Sequence, residues 1–373
     1  MEDFEVLAAE YDGLRLYRAG IPNFKANFTR DSVITALLSR NGGMLEDQLA
    51  FCAYKQGRKR DWMNGEEPGK IFHEYPGFRM GRYTTEYNAC DTTALFLIGH
   101  QAYREWSNDD KFASKYRKSI EKAAAYIMSH LKGNMFIEDP AFCGARRFAL
   151  KVTYWKDSGM RGRRGMQPRY PVVYTLAHIQ NIAGLHSAAL LLKRKNLDGT
   201  ALRMKKTMMS ELYDKKSGLF VMARDRLGSI KGLSSDQLHA LFYLEPGDVP
   251  AGVIERIVEA CGELETPIGY KVLAGVSEDS KADAYHTKTV WPYEQAIIHA
   301  GAYRHRMWAE SLGYASLAKK FSRVESVSRR VIKRMGRGAP EIFVMENGWI
   351  KRGGCDPQLW SVGAKVYFNS LRT

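Results

Sequence analysis

The chain has 373 residues, of which 45% are hydrophobic and 26% charged, with a net charge of +15. Such a composition fills a sizeable core and excludes global disorder. The excess of positive charge draws anions, but its lysines and arginines lie largely on helical faces and no nucleic-acid-binding signature accompanies them, so nucleic acid is not an expected partner.

The N-terminus, Met1-Glu2-Asp3-Phe4-Glu5, has neither the basic start nor the apolar run of a secretory signal, and no later apolar run approaches the roughly 18 residues of a membrane span. A cytoplasmic protein without a membrane partner is expected. From there onward apolar residues recur at helical spacing, beginning at Ser32 and then over Thr92–Ala102, Phe112–Leu131, Tyr174–Leu192, Gly252–Cys261 and Trp291–Tyr303. Strand-like runs are few and short, as in Gly218-Leu-Phe-Val-Met, and no stretch has linker composition. Twelve helices would leave about 31 residues for each helix and its loop, a comfortable size for six antiparallel hairpins. No fixed-period repeat of the kind that builds a superhelical array is present. The expected fold is all-α, a single (α/α)6 barrel over residues 1–373 with a few short strands in its loops. The five cysteines are widely separated, without metal-ligand spacing, so reduced thiols, no metal and no cofactor are expected.

Polar and aromatic residues cluster where helices begin. Asn27-Phe-Thr-Arg30-Asp31-Ser32 opens the first apolar helix, and Asp31 or Ser32 also reads as an N-cap. Lys70-Ile-Phe-His-Glu74 and Tyr87-Asn88-Ala-Cys-Asp91 precede the second, where rings beside carboxylates suit a sugar, whose C–H faces stack while its hydroxyls hydrogen-bond. In Val152-Thr-Tyr-Trp155-Lys156-Asp157, desolvation by Trp155 would raise the carboxyl pKa as a general acid requires, whereas Lys156 would lower it. The basic stretch beyond contains Arg161, Arg163, Arg164 and Arg169. Ala284-Tyr-His-Thr-Lys-Thr-Val-Trp291-Pro292-Tyr-Glu294 offers a stacking platform in Trp291 and a hydroxyl ligand in Glu294, with Pro292 suited to a first helical turn. Near the C-terminus, Pro340-Glu341-Ile and Glu346-Asn347-Gly348 supply two carboxylates, either of which could activate a water, before Gln358-Leu-Trp360-Ser.

In this order the clusters resemble the glucosidase (amylo-α-1,6-glucosidase) domain of glycogen-debranching enzymes and related (α/α)6-barrel glycosidases of the glucoamylase type. Phe28-Thr-Arg-Asp-Ser is similar to that family's F-x-R-D-[ST], Pro340-Glu-Ile to its P-E-L and Gln358-Leu-Trp-Ser to its Q-A-W-S, whereas the basic stretch from Tyr154-Trp-Lys-Asp157 departs from its glycine- and tryptophan-rich acid loop. The resemblance implies an inverting, exo-acting hydrolase of α-glucosides with Asp157 as general acid and Glu341 as general base. Asp31 and Asp91 would bond sugar hydroxyls, and Arg30, Tyr87, Asn88, Trp155, Trp291, Glu294, Glu346, Gln358 and Trp360 would complete the carbohydrate site. No N-terminal β-sandwich of the kind common in such relatives is expected. Two further readings stand beside this one: a small glycoside with an anionic aglycone of glycerate or phosphate type, paired with the arginines after Asp157, and a basic, non-catalytic carbohydrate- or nucleic-acid-binding barrel. A histidine-based sugar epimerase is the remaining alternative, without sequence context in its favour.

Overall fold

A computed structural model describes residues 2–157, 168–276, 285–346 and 348–371. Arg161, Arg163, Arg164, Ala284 and Asn347, singled out above, lie outside them.

The described chain is predominantly helical, with short two- and three-stranded sheets between the helices. The strand-like run at 218–222 forms one half of a small hairpin, Leu219–Phe220 paired with Tyr213–Asp214. The apolar stretch expected to form one helix over Phe112–Leu131 is broken at Tyr116 into Lys111–Lys115 and Arg117–Ser129. Elsewhere the helical periodicity and the observed helices coincide to within a few residues, apart from Trp291–Tyr303, which continues to Ser311.

Six helical segments contact one another in a cycle. Thr29–Ser39 packs on Thr92–Ser107, which packs on Thr175–Leu192. The latter meets the short turns Asp236–His239 and Ala240–Phe242, these pack on Pro292–Ser311, and that helix packs on Leu359–Ser370. The last of the six returns to Thr29–Ser39. A second set lies against the first: Gly42–Tyr54, Arg117–Ser129, Lys195–Thr207, Ala251–Ala260 and Ala315–Ser328.

The two sets differ in sequence for a physical reason. Members of the cycle are covered on nearly every side, so Thr175–Leu192 buries His178, Gln180 and Asn181 along with its leucines and alanines. The close approach also needs small residues, and a Cβ at Gly184 would stand 2.9 Å from Ala94 Cα. Outer helices such as Arg117–Ser129 instead bury one face, Ile120, Ala123, Ala124, Tyr126 and Ile127, and turn residues such as Arg117, Lys118, Lys122 and Ala125 to solvent. No described helix is long and apolar enough to cross a membrane.

The short strands matter because they hold loops at the starts of the inner helices. Asn27–Phe28 pairs with Glu74–Tyr75 immediately before Thr29. Thr289–Val290 pairs with Ile342–Glu346 just before Trp291, the N-cap of the next inner helix.

Candidate active site

One pocket of about 410 Å³ gathers side chains from these loop and helix ends. Its walls contain Arg30, Asp31, Trp155, Asp157, Trp291, Glu341, Gln358 and Trp360, all anticipated from the sequence. Phe24, Phe28, His73, Tyr285 and His286 also line it, without having been assigned a role.

Arg30 and Asp31 sit in the first turn of Thr29–Ser39, where neither Asp31 nor Ser32 is the cap: Phe28 occupies that position. Burial works against the Arg30 charge, but the Asp91 carboxylate overcomes it by binding the guanidinium in bidentate fashion, Nε to Oδ2 at 2.7 Å and Nη2 to Oδ1 at 2.9 Å. Asp31 is buried and receives the Gln358 amide at 3.1 Å. Burial pushes its pKa well up, against the neighbouring Arg30, and Glu341 pushes the same way. Gln358 Oε1 and Trp360 Nε1 are buried with no partner among the described residues, an acceptor and a donor whose hydrogen-bonding capacity remains to be satisfied.

Glu341 is clamped from two sides. Its Oε2 accepts the Cys355 backbone N–H at 2.8 Å and its Oε1 accepts the Tyr285 hydroxyl. Burial raises its pKa, while both hydrogen bonds pull the other way by stabilising the carboxylate. Glu346, by contrast, is a half-exposed residue paired with Lys351 at 3.0 Å, and that bond lowers its pKa. It does not line the pocket.

Asp157 lies half-exposed at the pocket, with His286 Nδ1 3.5 Å from its Oδ1. His286 is buried and neutral: burial depresses its pKa, and the charges of Lys156 and Arg30 add to the effect. The imidazole stacks on Trp291 at 5.1 Å and 3°. One face of Trp291 is therefore occupied within the protein. His73, at the pocket wall, has its pKa pushed down to about 3 by burial and then Arg30. Its neighbour Glu74 is raised to about 7 by burial, with Asp157 adding to the rise and the Thr85 hydroxyl opposing it.

Lys156 does not line the pocket. Its ammonium is buried against Asp236 Oδ1 at 3.0 Å and Ser235 Oγ at 3.2 Å. Glu294 belongs to the same buried group, accepting the Ser235 hydroxyl at 2.6 Å and lying 3.4 Å from His239, and not to the pocket wall. Asp236, His239 and Glu294 stand close enough to share a cation. Asp236 is already taken, however: Oδ1 accepts from Lys156 and Trp155, and Oδ2 from Tyr154. The Lys156 ammonium therefore already pairs with the Asp236 carboxylate.

The other anticipated ligands also serve the scaffold. Asp91 turns to Arg30. Tyr87 donates to the Lys55 carbonyl at 2.5 Å, and Asn88 bridges the Asn64 carbonyl and the Leu150 N–H. A carboxylate or amide at a helix start reads identically in sequence whether it faces a ligand or a neighbouring side chain.

The chain has the fold of structurally characterised glycoside hydrolases. Among the solved structures it resembles is the GH63 mannosylglycerate hydrolase from Thermus thermophilus. Its complex with Tris and D-glycerate is 14% identical, with a TM-score of 0.65 over 99% of this chain and 98% of that one. Its complex with glucose is 13% identical, with a TM-score of 0.68 over the same shares. No family model and no curated protein matches the chain.

Proposed function

We propose that the protein is an inverting glycoside hydrolase built as a closed (α/α)6 barrel, with Asp157 as general acid and Glu341 as general base. The observation that carries this reading is that these two carboxylates, 184 residues apart in sequence, meet in one pocket lined by Trp155, Trp291 and Trp360. In the proposed reaction Asp157 protonates the glycosidic oxygen as the bond to the anomeric carbon breaks. Glu341 removes a proton from a water attacking the opposite face of the sugar, through an oxocarbenium-like transition state. Inversion calls for a carboxyl separation of about 6.5–9.5 Å, which leaves room for that water. The clamp on Glu341 suits a base that must keep one orientation, and the unpaired Trp360 Nε1 in the pocket wall suits a sugar hydroxyl. Arg30 and Asp31 would bind further hydroxyls, with Asp91 and Glu294 acting behind them.

The substrate proposed is a short glycoside with a small anionic aglycone of the glycerate type. The mannosylglycerate hydrolase neighbour and its D-glycerate complex support it, as do the four arginines that follow Asp157 in sequence. An α-glucoside of the debranching or glucoamylase kind is the second reading, favoured by the motifs from Phe28 to Ser361 and by the neighbour's glucose complex.

The test is hydrolysis of mannosylglycerate, glucosylglycerate, maltose, isomaltose, panose and trehalose, with proton NMR following the anomer first released. Inverted sugar from wild type, with turnover lost in both Asp157→Asn and Glu341→Gln, is the expected result. Retention of configuration, or activity surviving both substitutions, overturns the assignment.

A further inference from the structure

Three consecutive side chains immediately before Asp157 end on one carboxylate. Tyr154 Oη reaches Asp236 Oδ2 at 3.1 Å, and Trp155 Nε1 and Lys156 Nζ both reach Oδ1 at 3.0 Å. All four residues are buried, whereas the Asp157 side chain, next in sequence, is 47% exposed. Asp236 itself lies in the first turn of Asp236–His239, within the cycle of inner helices and packed against Thr175–Leu192 and Pro292–Ser311.

We propose that Asp236 is a positioning residue that fixes the Tyr154–Asp157 segment and holds the Lys156 ammonium out of the pocket. The inference rests on the reading of Asp157 as general acid. Two consequences follow from the geometry. The bond to Nε1 sets the plane of Trp155, which lines the pocket and stands edge-on to Trp291, His286 and Tyr293. The bond to Nζ draws Lys156 into a buried pair, where Ser235 and Asp236 satisfy it. Released, a lysine adjacent in sequence to Asp157 would bring its charge to the acid and hold that carboxyl ionised, the wrong state for donating a proton. The Lys156 charge already acts on His286, whose Nδ1 stands 3.5 Å from Asp157. His286, Glu74 and Tyr285 face Asp157 from other elements. None of them is altered in the variants below.

The experiment titrates the Asp157 carboxyl by NMR in protein carrying ¹³Cγ-aspartate, its resonance assigned by absence from Asp157→Asn. In Asp236→Asn the midpoint is expected to fall by about one unit as the ammonium is freed. In Asp236→Asn/Lys156→Met it returns toward the wild-type value. A midpoint unchanged in the single variant, or equally low in the double, overturns the proposal. Should Asp236→Asn fail to fold, Lys156→Met alone reads the same device: the uncompensated Asp236 charge should raise the midpoint, and no change is contrary. Because the titration needs no turnover, a wild type inactive on every glycoside sinks the proposed function without silencing this test. With an active wild type, kcat should fall at least tenfold in Asp236→Asn for an unactivated glycoside at little cost in KM. The loss should be smaller for the corresponding glycosyl fluoride, whose leaving group needs less protonation.

Discussion

The Arg30 guanidinium and the Asp91 carboxylate form a bidentate pair between residues 61 apart in sequence, with only 7% and 1% of their side chains exposed. Removing one partner strands the other's charge in the pocket wall. Asp91→Asn is therefore expected to cost about 3–5 kcal/mol of stability. Arg30→Lys retains the charge but replaces a planar fork with a point, so it should lose activity as well as stability. Urea unfolding of the two variants checks the first expectation, and an Asp91→Asn protein as stable as wild type would contradict it.

Gly354 stands against the proposed base. A Cβ built there would lie 2.7 Å from both Cβ and Cδ of Glu341 and closer still to Oε2, and the backbone φ of +71° is one that L side chains rarely adopt. Gly354→Ala should displace the Glu341 carboxylate and lower kcat by at least tenfold, since misplacing a reacting group by even 1 Å can cost about a hundredfold. Steady-state kinetics beside a thermal melt separates this from general unfolding.

Tyr285 donates to the ionised form of Glu341 and so opposes the upward push of burial on its pKa. In Tyr285→Phe that opposition disappears and the Glu341 pKa rises further. The acidic limb of the kcat/KM profile, below which the base is protonated, should then move to higher pH. Loss of a hydrogen bond to a charged group also predicts a rate decrease of roughly tenfold on the plateau. An acidic limb that stays in place would rule out this role for the hydroxyl.

Glu74, raised to about 7 from an ordinary 4.5, makes stability depend on pH. The folded protein binds this proton more tightly than the unfolded chain, so the contribution is fully present below pH 4.5 and is lost as pH rises through about 7. Its size is on the order of 3 kcal/mol. Glu74→Gln should lack this component. Denaturant midpoints collected across the window should show wild type losing stability relative to the variant as pH increases.

How much could be read from the sequence depended on what each residue packs against. Apolar residues at helical spacing marked the outer segments Phe112–Leu131 and Gly252–Cys261 and also inner ones such as Tyr174–Leu192, because both kinds of helix bury an apolar stripe. What spacing did not disclose is that the inner helix Thr175–Leu192 is covered on its other faces too, burying His178 and Asn181. Within the pocket, Trp155, Asp157, Glu341 and Trp360 stand in aromatic or proline-bounded contexts that drew attention to them. Asp91 and Glu294 occupy similar contexts yet face Arg30 and Ser235, partners 61 and 59 residues away that no local pattern discloses. Tyr285 and His286 stand inside a quoted stretch, but their roles depend on contacts with Glu341 and Asp157 that only the assembled chain makes. Asp236 had no local signal at all: its partners Tyr154, Trp155 and Lys156 come from a segment 82 to 80 positions earlier.

The hydrogen bond from Gln358 to Asp31 spans 327 positions of sequence. On a ribosome, at roughly 5–20 residues per second, the second partner is made tens of seconds after the first. Throughout that interval Arg30 and Asp31 face an unfinished wall, because the helix that packs on theirs has not yet been synthesised. The pocket should therefore be completed in one step, only after Gln358 and the helix Leu359–Ser370 have been made, and a message truncated shortly before Gln358 would yield a silent product.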